Sequence, residues 1–462
     1  MKTTARRSYI ALLLVAVVIG GLTLLGVRLF VHGEEWATMR ASSHITSDGS
    51  FIGAGSVTDR KGVILATTSD GERVYNDSED VRRATLHIVG DTEGYISSGV
   101  QTAYKTELIG YNRVTGLYSL KKYGRGNDVA LTLDADLCAC ALDALGGRKG
   151  LIAAYNYKTG ELLCSVSSPN YDVRNKPTAK EIAADPDGAY DGLYLNRLID
   201  GLYTPGSIFK IVTTVCAVEN MPKLDDWEFT CEGEITIGGV DVTCPHSHGS
   251  LTFREALADS CNGAFATLAA KLGADKLQAT AAELGFGKTF AFGNGTTQAS
   301  RFDLTNAAPG DVAWAGVGQY TTLVNPYHML TVLGAIANDG TAVEPYVVSS
   351  VTSPSGRTVM KPQPSTDAYL TPEIARKVGD YLRSDVTDNY GDWNFEGLSM
   401  CGKTGTAEVG DDKEPHAWFV GYSQNERCPV AIVVCIENGG WGATSAIPVA
   451  SDVMEEIYKS VS

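Results

Sequence analysis

A serine that attacks a carbonyl carbon needs a neighbour to take its proton, and where histidine is not paired with it the usual substitute is lysine. The segment Thr204-Pro205-Gly206-Ser207-Ile208-Phe209-Lys210-Ile211-Val212 supplies both groups. Pro205-Gly206 closes an irregular stretch ahead of an apolar helical run. That puts Ser207 at a helix N-terminus, with Lys210 one turn further on the same face. Free N–H groups and the helix dipole favour negative charge there, hence an alkoxide or oxyanion. A lysine against an apolar helix can lose its proton through desolvation and act as base. The bland alternative is a capping serine beside a surface lysine, and Ser119-Leu120-Lys121-Lys122 repeats the spacing without the setting. The chain has no GxSxG elbow and no HExxH, and its seven histidines show no pairing with a serine.

Two further groups follow in order. Ser260-Cys261-Asn262 lies 53 residues after Ser207, between helical stretches, where a tight turn can aim two side chains into a cleft. Lys403-Thr404-Gly405-Thr406 begins 143 residues after Ser260, inside a β-type run, where Gly405 leaves room for a substrate backbone. Cys261 reads as packing rather than chemistry. Each pattern alone is weak, because the chain holds decoys. Ser168-Pro169-Asn170 and Ser423-Gln424-Asn425 match Ser-x-Asn, and Lys158-Thr159-Gly160 matches Lys-Thr-Gly at what reads as an exposed hairpin turn. Order and setting separate the candidates from the decoys.

The elements that must position these groups read as an α+β fold, an antiparallel sheet flanked by helices. Asp128–Leu133 is a strand, Asp136–Leu145 has helical spacing ending at Gly146-Gly147, and Gly150–Tyr157 and Glu161–Ser167 form a hairpin. Helical periodicity marks 207–222, 252–272 and 323–338. Ser399–Val409, His416–Tyr422 and Pro429–Glu437 form an antiparallel meander, and a helix over Pro448–Lys459 closes the chain. Before all of this, 32–125 reads as a small, β-leaning module, with two strands in Val57–Ala66 around a turn at Lys61-Gly62.

The first thirty residues carry a different signal. Ser8–Val27 is a run of 20 uncharged residues, long enough to span a bilayer as a helix. Lys2, Arg6 and Arg7 precede it, which predicts a cytoplasmic N-terminus and an extracytoplasmic bulk. A cleaved signal peptide would have a shorter apolar region and an Ala-x-Ala-like site, and Arg28-Leu29-Phe30-Val31 follows instead, so a retained single-pass anchor is expected. The organisation expected is an anchor over 1–31, a membrane-proximal module over 32–125 and a catalytic domain over 126–462.

The net charge of −16 argues against a nucleic-acid partner. Of the ten cysteines, Cys164, Cys216 and Cys435 sit in apolar runs and read as small buried hydrophobes. Cys231 and Cys244 flank a hairpin turning at Gly238-Gly239, which admits a cross-strand disulfide, free thiols or, with His246 and His248, a zinc site of spacing Cys-x12-Cys-x-His-x-His. Zinc ligands ordinarily come in tighter pairs, so free thiols, no metal and no cofactor are the expectation.

The ordered set of Ser207/Lys210, Ser260/Asn262 and Lys403-Thr404-Gly405 resembles the motif triple of penicillin-binding proteins and serine β-lactamases. The resemblance extends to a compact class B penicillin-binding protein over nearly everything from residue 55. Asp59-Arg60-Lys61-Gly62-Val63-Ile64-Leu65-Ala66 is similar to that family's membrane-proximal Asp-Arg-x-Gly-x-x-Leu-Ala stretch. Leu131–Asp134, Tyr157–Leu163, Asn196-Arg197, Gly318-Gln319 and Trp418–Gly421 also fall where the family has such residues.

This resemblance implies a peptidoglycan D,D-transpeptidase that β-lactams inhibit by acylating Ser207. It implies that Ser207 attacks the D-Ala–D-Ala bond of a stem peptide, Lys210 takes its proton and Ser260 relays a proton to the leaving D-Ala. Asn262 would hold the substrate amide, and Lys403, Thr404, Gly405 and Thr406 would form the strand that binds it, with Lys403 and Thr406 on the carboxylate. The backbone N–H groups of Ser207 and Thr406 would form the oxyanion hole. It also implies a polytopic SEDS-family glycosyltransferase as membrane partner. The alternatives are a β-lactamase or D,D-carboxypeptidase, for which the anchor has little use, and a β-lactam-binding sensor or scaffold. The short 32–125 module leaves no room for a glycosyltransferase domain.

Overall fold

The computed structural model describes residues 2–38, 53–110, 125–410 and 413–461. The Ser119-Leu120-Lys121-Lys122 decoy lies outside the described residues. The centre of the molecule is a five-stranded sheet in the order Met400–Ala407, His416–Ser423, Val430–Ile436, Gly150–Asn156 and Leu162–Ser168, every pair antiparallel. Val430–Ile436 and Leu162–Ser168 are buried at every position, because helices cover both faces of the sheet. Ala135–Leu145 and the terminal helix Gly442–Val461 lie on one face, and Pro326–Ala337 lies on the other. The architecture is the expected α+β arrangement. Met400–Ala407 is an edge strand of this sheet, so among the described residues no further strand pairs with its outer side.

Local signals explain most boundaries. Asp134 caps Ala135–Leu145 by accepting from the N–H of Asp136 and Leu137, and Gly146 ends the helix in the left-handed region at φ 61°. The turn at Lys61-Gly62 joins Val57–Thr58 to Ile64–Ser69, with Val57 opposite Ala66. Glu234–Ile237 and Val240–Thr243 form the hairpin expected at Gly238-Gly239, both glycines having positive φ.

Three elements differ from the sequence reading. The last helix starts at Gly442, six residues before Pro448. Proline usually marks a helix start, but here Ala446, Ile447, Val449, Ala450 and Val453 are buried against the sheet, and that packing carries the helix through the proline. Residues 79–109 of the β-leaning module hold four helical segments, Glu79–Ala84, Leu86–Val89, Val100–Ala103 and Lys105–Ile109. None exceeds six residues, too short to display a helical period. The strands Val57–Thr58, Ile64–Ser69 and Glu72–Tyr75 join Asp128–Leu131, Val348–Thr352 and Thr358–Met360 in a single six-stranded sheet. Val57–Thr58 runs parallel to Asp128–Leu131, a pairing across 72 residues that local patterning does not reveal.

At the N-terminus, Lys2–Thr38 is one helix, and Arg6–Arg28 within it is long and apolar enough to cross a membrane, with mean hydropathy 2.8 and no burial against the rest of the protein.

Candidate active site

The nucleophile candidate sits on a 3-10 turn, Gly206–Phe209, that runs directly into the helix Lys210–Asn220. Phe209 anchors the turn in the core, stacked on Phe302 and edge-on to Phe286. Two close backbone approaches fix its position. Gly206 has φ 53°, and a Cβ there would lie 2.5 Å from the carbonyl oxygen of Thr406. Gly318 accepts a hydrogen bond from the Gly206 N–H at 3.0 Å, and a Cβ on Gly318 would lie 2.0 Å from the Gly206 carbonyl oxygen. Upstream, Tyr203 exchanges two backbone hydrogen bonds with Val324, and its hydroxyl donates to Glu437 at 3.1 Å. Glu437 is also paired with the buried Arg197 at 2.7 Å, so the loop leading to Ser207 is braced from both sides.

Lys210 is the hub. Its side chain is fully buried, and its Nζ lies 3.0 Å from Ser207 Oγ, 3.0 Å from Ser260 Oγ, 2.6 Å from the Ser260 carbonyl oxygen and 2.8 Å from Asn262 Oδ1. Burial, with the nearby charge of Lys403 adding to it, pushes the Lys210 ammonium down to about 7. The second group is held by a break between two helices. Thr252 starts Phe253–Ala258 with a capping box, and Cys261 caps Asn262–Leu272. Between them Ser260 takes φ 54°, a conformation uncommon for a side-chain-bearing residue, which turns its hydroxyl toward Lys210. Asn262 Nδ2 donates to the Thr243 carbonyl at 2.9 Å, which orients its amide oxygen toward the lysine.

Lys403, also fully buried, projects from Met400–Ala407. Its Nζ donates to Tyr390 Oη at 3.0 Å and stands 3.4 Å from Asp385 Oδ2. Burial lowers its proton affinity, but Tyr390 and Asp385 more than offset this and the net shift is upward. Asp385 is fully buried, and burial pushes its carboxyl up to about 6 against the pull of Lys403, so the pair is ionised at pH 7. Tyr390 Oη also accepts the Thr404 N–H at 3.1 Å and lies 2.9 Å from Thr404 Oγ1. A Cβ on Gly405 would come within 3.0 Å of both Ile208 Cγ2 and the Pro205 carbonyl oxygen. The glycine therefore gives room to the nucleophile turn itself, where the sequence suggested room for a substrate. Thr406 Oγ1 accepts from the N–H of Gly442, the first residue of the terminal helix, at 3.4 Å.

The structure thus brings Ser207, Lys210, Ser260 and Asn262 to one point, and sets Lys403–Thr406 alongside the same turn. The decoys fall elsewhere. Lys158-Thr159-Gly160 is the tip of the Gly150–Ser168 hairpin, with Lys158 bonded to Asn338 at 2.8 Å. Ser423 ends a strand with its hydroxyl donated to the Leu398 carbonyl. Sequence reasoning passed over Asp385 and Tyr390. The available signal was Asp385 at the end of Pro372–Asp385, on a face otherwise lined by Ala375, Val378 and Leu382.

A half-buried serine hydroxyl beside a fully buried lysine amine at a helix start, completed by a second serine and an edge strand, is an arrangement suited to acyl transfer through the serine. The family model described as the penicillin-binding protein transpeptidase domain matches residues 150–455. The chain belongs to this family, on its class B branch. It is 29% identical to the peptidoglycan D,D-transpeptidase PbpA of Mycolicibacterium smegmatis over 378 residues, covering 75% of this chain and 76% of the relative. A D,D-transpeptidase domain from Eggerthella lenta superposes with a TM-score of 0.76 at 30% identity, covering 88% of this chain and 98% of that one. Penicillin-binding protein A of Mycobacterium tuberculosis, solved as a penicillin G acyl-enzyme, superposes with a TM-score of 0.74 at 25% identity over 87% and 98% of the two chains.

Proposed function

We propose that this chain is a membrane-anchored peptidoglycan D,D-transpeptidase whose nucleophile is Ser207. The observation that carries the reading is the fully buried Lys210 amine, 3.0 Å from two serine hydroxyls and held near neutrality. Ser207 Oγ attacks the carbonyl carbon of the penultimate D-Ala of a donor stem peptide, and its proton passes to Lys210 Nζ. The tetrahedral intermediate collapses as the C–N bond breaks, and a proton reaches the leaving D-Ala amine through Ser260 Oγ. An acceptor amine then attacks the Ser207 ester, gives up its proton along the same path, and regenerates Ser207. Lys403 supplies positive charge for the donor's terminal carboxylate together with Thr406, and Asn262 holds the donor amide. Backbone N–H groups of Ser207 and Thr406 serve the oxyanion, supported by the packing of the two segments against each other. β-Lactams enter by the same attack and acylate Ser207.

The helix over Arg6–Arg28 and the charges of Lys2, Arg6 and Arg7 support a single-pass anchor with a cytoplasmic N-terminus. On this reading 1–31 is the anchor, 32–125 the membrane-proximal module and 126–462 the transpeptidase domain, working outside the cytoplasm beside a polytopic SEDS-family glycosyltransferase. The activity is tested by incubating the detergent-solubilised chain with a donor pentapeptide and a labelled D-amino acid. Exchange of the terminal D-Ala that disappears in Ser207→Ala is expected. Exchange that persists in Ser207→Ala would overturn the reading.

A further inference from the structure

Behind the Ser260-Cys261-Asn262 turn lies a group of side chains that the acyl-transfer chemistry does not use. The strand Glu228–Cys231, paired with Gly249–Thr252, and the hairpin Glu234–Thr243 bring Cys231, Cys244 and His248 around Cys261. The ligand atoms of these four residues all lie within 4.8 Å of one another. Cys231 Sγ is 3.4 Å from His248 Nδ1, and Cys244 Sγ is 3.8 Å from Cys261 Sγ. Around a tetrahedral zinc ion with Zn–S of about 2.3 Å and Zn–N of about 2.0–2.1 Å, neighbouring ligand atoms stand about 3.5–3.8 Å apart. The Cys231–His248 and Cys244–Cys261 edges match those separations.

The backbone adds a second, independent feature. The N–H groups of Gly263 and Ala264, in the first turn of Asn262–Leu272, donate to Cys244 Sγ and Cys261 Sγ at 3.4 Å each. Such donors at a helix start favour thiolate over thiol, the form that binds a metal. Three thiolates and one imidazole, with Cys231 and Cys261 buried and Cys244 and His248 half-buried, suit structural zinc better than a hard cation. A disulfide would need S–S of about 2.05 Å, would use two of the four groups, and would leave Cys231 facing His248 without purpose. The sequence spacing offered His246 and His248 beside Cys231 and Cys244; the structure brings His248 to the group, with Cys261 in the place of His246.

We propose that Cys231, Cys244, His248 and Cys261 hold a zinc ion that fixes the turn between Ser260 and Asn262. On binding, three thiols release their protons to solvent and the sulfurs bond to the metal, without any change of oxidation state. Cys261 is the covalent link between the ion and the two residues that meet Lys210. Ser260 occupies an uncommon backbone conformation there, and tethering its neighbour keeps the hydroxyl on the lysine. The metal-binding half of the proposal stands alone, and the positioning half rests on the transpeptidase reading.

The test uses the full chain, purified in detergent from zinc-replete cells. Elemental analysis should give about one zinc per chain. Cobalt exchanged into the chelated protein should show a thiolate-to-metal charge-transfer band. Cys231→Ser and His248→Ala should each lose most of the zinc, while Cys140→Ser, at a thiol elsewhere, should keep it. Chelation should slow penicillin acylation by at least about tenfold, with recovery on zinc addition. A wild-type chain with ten titratable thiols and no zinc would overturn the site, as would a Cys244–Cys261 disulfide in non-reducing peptide maps. Zinc loss without any change in acylation would overturn the positioning role. Full zinc occupancy in a chain that penicillin never acylates would instead count against the transpeptidase reading.

Discussion

Replacing Lys210 by arginine separates a base from a structural cation. Burial and the neighbouring charge of Lys403 bring Lys210 from 10.5 to about 7. At pH 7 roughly half of the molecules then hold a neutral amine, whereas a lysine at its ordinary value would be neutral in about one molecule in 3,000. That difference of about 1,500-fold in base population lies within the roughly 10²–10⁴-fold expected for losing a general base. Arginine stays protonated at any working pH, so Lys210→Arg should acylate about 10²–10⁴-fold more slowly, close to Lys210→Ala. The lowered Lys210 value also sets a pH dependence. The active form is the deprotonated amine, so the wild-type acylation rate should rise through about pH 7 and level off above it. The assay is the second-order rate of penicillin acylation across pH, with circular dichroism to confirm folding of each variant. Near-wild-type acylation by Lys210→Arg, or a wild-type rate flat from pH 5 to 9, would refute the base assignment.

Two other substitutions probe the frame around the nucleophile. Asp385→Asn removes the charge partner of the buried Lys403, and leaving that ammonium unpaired should cost about 3–5 kcal/mol, read as a lower midpoint in thermal or urea unfolding. Gly318→Ala places a Cβ 2.0 Å from the Gly206 carbonyl at a residue with φ 91°, so the Ser207 turn must shift; acylation should drop by about 10²-fold while the chain stays folded, and an unchanged rate would show that the turn tolerates displacement.

The candidate site was legible in the sequence because its groups are local in the chain or carried by strong context. Ser207 and Lys210 are one helical turn apart, and the strand periodicity around Lys403 set it apart from the hairpin tip at Lys158. What supports these residues was hidden, because it arrives from distant chain. Asp385 reaches Lys403 from the end of an amphipathic helix and Tyr390 from the turn just after it, where an acid reads as solvent-facing until the tertiary packing buries it. The Cys231–Cys261 group closes only when the Glu228–Thr252 strand pair and the hairpin nested within it pack beside the helix break at Ser260, which also decides that His248 joins the group and His246 does not. The six-stranded sheet joining residues 57–75 to 348–360 depends on one parallel pairing that no turn signal announces. The early start of the last helix escaped notice because Pro448 is a strong local signal overridden by a buried face.

Acylation at Ser207 is the step on which the proposed mechanism depends. It is tested most directly by incubating the chain with labelled penicillin and locating the adduct by peptide mass spectrometry. One adduct is expected, on the peptide containing Ser207, and it should be lost in Ser207→Ala. An adduct on Ser260, whose hydroxyl is equally close to Lys210, or labelling that survives Ser207→Ala, would contradict it.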